Sequence, residues 1–206
     1  IYYREDNIAK KIIQSGIIKK KLEFFSKLDT ININISGIDQ EKIWIREFNR
    51  FFSRNKIEKI SLKEPKKYFP EFTAFDRISS TPVSYRSDGP LVTVVISVWA
   101  PKHALITSVR SILSQSWTNL EILLIDDACP PEYEELIQYC AGLDKRVRVL
   151  RQEQNQGTYM ARNRAFREAR GEFITFQDSD DWSHPRRIER QMETMLAEPG
   201  LLATTS

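Results

Sequence analysis

At 206 residues the chain is long enough for one large domain or two small ones. Its 41% hydrophobic and 29% charged residues exclude a disordered polyelectrolyte, and a formal net charge of +3 is too small to argue for a nucleic-acid partner. The longest apolar run, residues 91–100, has the length of a strand and not of a membrane span.

Charge is unevenly distributed. Up to about Lys66 the basic residues are mostly lysine, as in Lys10-Lys11 and Lys19-Lys20-Lys21, and this part is net positive. Beyond it arginine predominates and acids slightly outnumber bases, which marks a boundary between modules. We therefore divide the chain into a mainly helical N-terminal region (1–66), a Pro-rich linker (67–90) and an α/β domain (91–206). Cys129 and Cys140 fit no metal-ligand pattern and are expected as reduced, intracellular thiols. Residue Ile1 is not followed by the charged and apolar regions of a secretory signal, so a cytoplasmic protein is expected.

In the first region, residues 1–52 read as two helical stretches broken near residues 29–39. Ile8, Ile12 and Ile13, then Leu22, Phe25 and Leu28, recur at helical spacing. Between them Ile31, Ile33 and Ile35 alternate as in a short strand. Pro65, Pro70, Pro82 and Pro90 then punctuate a linker or irregular wrap.

From residue 91 the pattern becomes regular. The β-branched run LVTVVISV suits a strand buried on both faces. A helix follows Pro101, with Leu105, Val109, Ile112 and Leu113 on one side. EILLID is a second strand, and Pro131 suits the first turn of a helix running to about Ala141. VRVL is a third strand. Gly157 opens a helix through about Arg170, with Gly171 placed as its C′ glycine. EFITFQ is a fourth strand, and another amphipathic helix follows Pro185. Such alternation predicts a mostly parallel, Rossmann-like sheet with helices on both faces, and ligands outside the carboxyl ends of its strands. Residues 97–100, Asp126-Asp127 and residues 178–181 should converge there.

Three carboxylates among Asp178, Ser179, Asp180 and Asp181, straight after an apolar strand, repel one another unless a cation or donors neutralise them. Hard oxygen ligands with room for water suit Mg²⁺ or Mn²⁺ bridging to phosphate. The competing reading is a solvated turn with Asp181 capping the next helix, and the strand context favours the metal. Asp126-Asp127 either terminate a buried strand as a plain polar pair or include a carboxylate that accepts the imide N–H of a uracil, for which Asp127 is preferred and Asp126 caps nearby backbone. Trp99 is placed either to stack on a base or in the core.

These segments, VTVVISVW, SVRSILSQSWTNLEILLIDDA, NQGTYMARNRA and GEFITFQDSDDWSHPRRIERQ, resemble in order and spacing the N-terminal half of family 2 glycosyltransferases, which have the GT-A fold. The resemblance covers a little over half the chain. It implies transfer of a sugar from a UDP-sugar to a glycan or similar acceptor, metal-dependent and inverting, in polysaccharide or cell-surface glycan biosynthesis. It places Asp127 on the uracil, Ser97 and Trp99 around the base, Asp178 at the ribose or sugar, Asp180 on the metal together with Asp178, and Gly157 and Arg162 beside the nucleotide. For Arg162 a surface ion pair is the competing role. Family members often have Pro where Ser97 stands and Asn where Ala100 stands. The acceptor half and the catalytic base are expected beyond Ser206.

The N-terminal lysines read as a solvated helical surface, a docking face, or a patch for the anionic inner face of a membrane. No G-x-x-x-x-G-K-[ST] accompanies ILLIDD, so a P-loop ATPase is rejected. A receiver domain or a D-x-D phosphoaspartyl hydrolase would carry its aspartates on the first strand. The alternative from another class is a domain that binds a nucleotide sugar without transferring it.

Overall fold

The computed structural model describes residues 38–54, 56–63 and 74–204. The chain divides into two compact units, residues 1–62 and 63–206. Most of the sequence expectations for residues 1–52, including the strand with Ile31, Ile33 and Ile35, lie outside the described residues.

In the first unit, helix α1 (Ile38–Arg54) runs a little past the expected end at residue 52. Trp44, Phe48 and Phe52 recur every four residues, so their rings stack along one side, with centroids 4.9 and 5.7 Å apart. The returning chain is pinned by Asn49, whose amide accepts from the Ile60 N–H and donates to the Ile60 carbonyl, both at 2.7 Å.

The second unit is built on four strands, β1 (Val92–Val98), β2 (Leu120–Asp126), β3 (Val147–Arg151) and β4 (Phe173–Asp178). They are parallel, in the order β3-β2-β1-β4. β1 and β2 are the central strands, which explains their unbroken apolar runs: each face must meet a helix. On one face, Val94, Ile96 and Val98 pack with Leu105, Val109 and Ile112 of α2 (Ala104–Leu113), Ile137 of α3 (Glu134–Ala141), and Ile188 and Met192 of α5 (Arg187–Ala197). On the other, Val95, Leu123 and Ile125 pack on Ala161 and Ala165 of α4 (Thr158–Glu168). The two alanines bring that helix close to the sheet. The expected parallel α/β sheet is thus present, with helices on both faces.

After β3 the chain crosses back over β2 and β1 to add β4 on the far side, so the order reverses between β1 and β4. In sheets of this kind ligands bind at such a switch point, outside the carboxyl ends of the two strands.

Two glycines are used differently from one another. Gly157 has a φ of 82° and opens α4, a conformation that favours glycine. Gly171 is not in the left-handed region, which corrects its reading as a C′ glycine; α4 ends at Glu168 with Ala169 extended. Gly171 is required for proximity instead: a Cβ there would lie 2.6 Å from the Thr93 backbone nitrogen and 2.8 Å from the Phe173 carbonyl. Upstream, residues 86–90 belong to the same unit. Arg86 bonds to the backbone of Ser116 and Thr118, and Gly89 packs beneath the Trp117 ring.

Candidate functional site

The switch point is framed by strand ends in register. Ser97 lies beside Asp178 across β1 and β4, and Val98 beside Asp126 across β1 and β2. The residues just beyond β1 and β2, Ala100 and Ala128, have φ of 46° and 58°. Left-handed backbone costs alanine roughly 1 kcal/mol or more, and two such residues at adjacent strand ends mark a site whose loops are held in place by their surroundings.

Asp126 and Asp127 have different tasks. Asp126 is fully buried; its Oδ1 accepts from the Cys129 N–H at 2.8 Å and its Oδ2 from Arg151 Nε at 2.6 Å. It is a capped, ion-paired support for the turn after β2. Asp127 is also buried, and it organises the loop that leads into α4. Its Oδ1 accepts from the Gln152 side-chain amide and the Gln156 N–H, and its Oδ2 from the Gly157 N–H at 2.8 Å. A carboxylate offers about four acceptor directions, so one remains on Oδ2.

Gly157 sets the direction of α4, and α4 carries Arg162 back to the end of β4. Arg162 Nη2 donates to Asp178 Oδ1 at 3.2 Å, while its guanidinium lies 4.9 Å from the centre of the Phe176 ring. The ion pair that competed with a nucleotide role is therefore present, and it is formed with another candidate residue. Helix α4 thus touches Asp127 at its first end, through Gly157, and Asp178 about one and a half turns on, through Arg162. The Ser97 hydroxyl is buried without a hydrogen-bond partner. Trp99 is 57% exposed and outside the core.

The acidic turn is exposed. Asp181 N donates to the Asp178 carbonyl at 3.1 Å, closing the turn, and Asp178, Asp180 and Asp181 are open to solvent. Asp181 does not cap α5, whose first turn takes other partners: Ile188 N donates to Gln115 Oε1 at 3.0 Å. Burial, and then the charges of Asp178 and Asp180, push the Asp181 carboxyl up from its ordinary value, against the opposing charge of Arg187. Among the described residues no three His, Cys, Asp or Glu side chains converge as a ready-made cage. Mg²⁺ and Mn²⁺ at phosphate sites use one or two carboxylates with substrate oxygens, so the donor set fits such an ion on chemistry.

The comparisons with known proteins concern the second unit. Residues 93–205, more than half of the chain, match the family described as Glycosyl transferase family 2. The chain belongs to that family. An uncharacterized glycosyltransferase of Haemophilus influenzae is 36% identical over 107 residues, which cover 52% of this chain and 43% of that one. A Bacillus subtilis protein named for teichuronic acid biosynthesis is 32% identical over 107 residues, covering 52% of this chain and 42% of that one. The family 2 chain thus spans less than half the length of these relatives. Among solved structures, the mannosyltransferase PcManGT from Pyrobaculum calidifontis, in complex with GDP-Man and Mn²⁺, shares the fold with a TM-score of 0.50 and 21% identity, over 59% of this chain and 37% of that one.

Sequence reasoning missed Gln152, Gln177 and the left-handed backbone at Ala100 and Ala128. A glutamine immediately before the acidic motif, at the end of an apolar strand, was a usable signal for Gln177. The alanines carried none, because nothing in an alanine's identity reports a positive φ.

Proposed function

We propose that this family 2 domain binds the nucleotide-sugar donor of a glycosyltransferase reaction, with UDP as the nucleotide and a glycan or similar acceptor in polysaccharide or cell-surface glycan synthesis. The observation that carries the reading is helix α4 contacting both Asp127, through Gly157, and Asp178, through Arg162, at the carboxyl strand ends next to an exposed acidic turn. In this reading the remaining lone-pair direction of Asp127 Oδ2 accepts a base N–H, and Trp99 covers the base. The Ser97 hydroxyl supplies a further hydrogen bond, and Arg162 faces the nucleotide from α4. Asp180, with Asp178, would hold Mg²⁺ or Mn²⁺. Such an ion, when bound, neutralises charge building on a leaving diphosphate.

These residues bind and orient; none is assigned as the base that takes the acceptor's proton in an inverting transfer. Relatives named for polysaccharide synthesis support the acceptor class. A neighbouring fold in complex with GDP-Man and Mn²⁺ supports a nucleotide sugar and a divalent ion, while making base identity a matter for direct measurement. The deciding experiment is calorimetric titration of the chain with UDP and with GDP, each with Mn²⁺ and with EDTA. Binding of UDP that requires Mn²⁺ and is lost in Asp180→Ala is expected. Tighter binding of GDP would overturn the uracil role of Asp127, and binding indifferent to Mn²⁺ would overturn the metal role of Asp180.

Among the described residues no helix is long and apolar enough to cross a membrane. The lysines proposed for a lipid surface, Lys10-Lys11 and Lys19-Lys20-Lys21, lie outside the described residues.

A further inference from the structure

The acidic turn is held by a set of side chains to which the donor reading gives no role. Gln177, buried at the end of β4, donates from Nε2 to the Asp181 carbonyl at 2.8 Å. Its Oε1 accepts from Ser183 Oγ at 2.6 Å and from Arg187 Nη1 at 3.1 Å. Arg187 Nη1 also donates to the Phe176 carbonyl at 3.3 Å. From the other side, α2 reaches the same segment. Ser108 Oγ donates to the Asp178 carbonyl at 2.9 Å, Ser111 Oγ accepts from Ser183 N at 3.1 Å, and Gln115 Nε2 donates to the His184 carbonyl at 2.8 Å. Backbone groups at four of the seven positions from Asp178 to His184 are therefore fixed by side chains rather than by secondary structure.

Such a network has a cost that packing alone does not require. Arg187 keeps Nε and Nη2 buried without hydrogen-bond partners, an arrangement that an apolar residue of similar length would avoid. What an apolar residue lacks is charge. Three carboxylates crowded on one turn repel, and left alone they would splay it. Arg162 meets Asp178 from the solvent side, and Arg187 lies on the inner side with its charge acting on Asp181.

We propose that Gln177 and Arg187 are positioning residues for the acidic turn. Gln177 locks its backbone through the Asp181 carbonyl, and Arg187 holds the Gln177 amide and the end of β4 in place while setting a buried positive charge behind the turn. The inference rests on the donor-site reading for its functional consequence, while the positioning itself is testable without any ligand.

The test uses the full chain with Gln177→Met, Arg187→Met and Arg187→Lys. Mn²⁺ binding is followed by electron paramagnetic resonance and UDP binding by calorimetry. Amide hydrogen exchange at Asp181 and Ser183 is measured with no ligand present. Gln177→Met and Arg187→Met are expected to weaken Mn²⁺-dependent UDP binding by about 10- to 100-fold, as loss of groups supporting a metal's ligands does. Binding in EDTA should change far less. Arg187→Lys should recover most of the loss, because it restores the charge. Exchange at Asp181 and Ser183 should accelerate in Gln177→Met. Should Arg187→Met fail to fold, Gln177→Met and Arg187→Lys decide the matter. Folded variants that bind Mn²⁺ and UDP as the parent chain does overturn the inference. If the parent chain binds neither, the donor reading fails, and unchanged exchange in Gln177→Met would separately overturn the positioning role.

Discussion

Single residues in this protein are decided by how many partners surround them. The adjacent aspartates at the end of β2 show it: Asp126 spends its oxygens on Cys129 and Arg151, whereas Asp127 spends three of its acceptor directions on Gln152, Gln156 and Gly157. The preference for Asp127 as the outward residue came from its position one step beyond the apolar run. That it also builds the entrance to α4 needs partners some thirty residues away. The two cysteines are a simpler case. Both are free and buried, and burial pushes each thiol up to about 12, Asp126 adding to the effect at Cys129. At pH 8 the folded chain should leave both thiols unmodified by iodoacetamide over hours, with both modified rapidly in guanidinium chloride. Fast labelling of either one under native conditions would contradict its described burial.

At the scale of elements, the junction at the amino end of the sheet is tied together by side chains. Glu121 on β2 accepts from Thr93 Oγ1 of β1 at 2.6 Å, from the Arg170 N–H at 2.5 Å, and from Arg148 of β3 at 3.1 Å. Gly171 donates to the same threonine hydroxyl at 3.0 Å. Three strands and the α4–β4 link thus meet at one buried carboxylate. Gly171→Ala would press a methyl group onto the Thr93 hydroxyl and onto backbone atoms of Thr93 and Phe173, and the backbone atoms cannot swing aside. It should destabilise the domain by about 1–3 kcal/mol, the usual cost of overpacking. Urea denaturation checks it, and a loss below about 0.5 kcal/mol would mean that the junction relaxes freely. The strands and helices here were readable from period and composition, because β1 and β2 are buried on both faces and α2 on one. The boundary after α4 was not, because a glycine needed for proximity and a glycine needed for its φ look alike in sequence.

For the whole molecule, the same junction gives a pH dependence. Burial alone would raise the Glu121 carboxyl, but hydrogen bonds from Thr93, Arg170 and Arg148 outweigh it and hold the group below its ordinary value. Its contribution to stability is therefore complete above the unfolded carboxylate range, near pH 4–5, and disappears as pH falls through the lower folded value. The difference in unfolding free energy between the parent chain and Glu121→Gln should be largest at neutral pH and shrink steadily below about pH 4. A difference that grows on acidification would reverse the assignment. The order of β-branched apolar runs and the 3.6-residue periods were enough to determine a parallel α/β domain, and the resemblance of its motifs pointed to family 2, since burial on one or both faces leaves its record in residue type. Tertiary structure alone decided that β4 returns beside β1, that Arg162 meets Asp178, and that Gln177 and Arg187 sit beneath the acidic turn. Those outcomes depend on hydrogen bonds and charges between residues distant in sequence, and local pattern holds no record of such pairings.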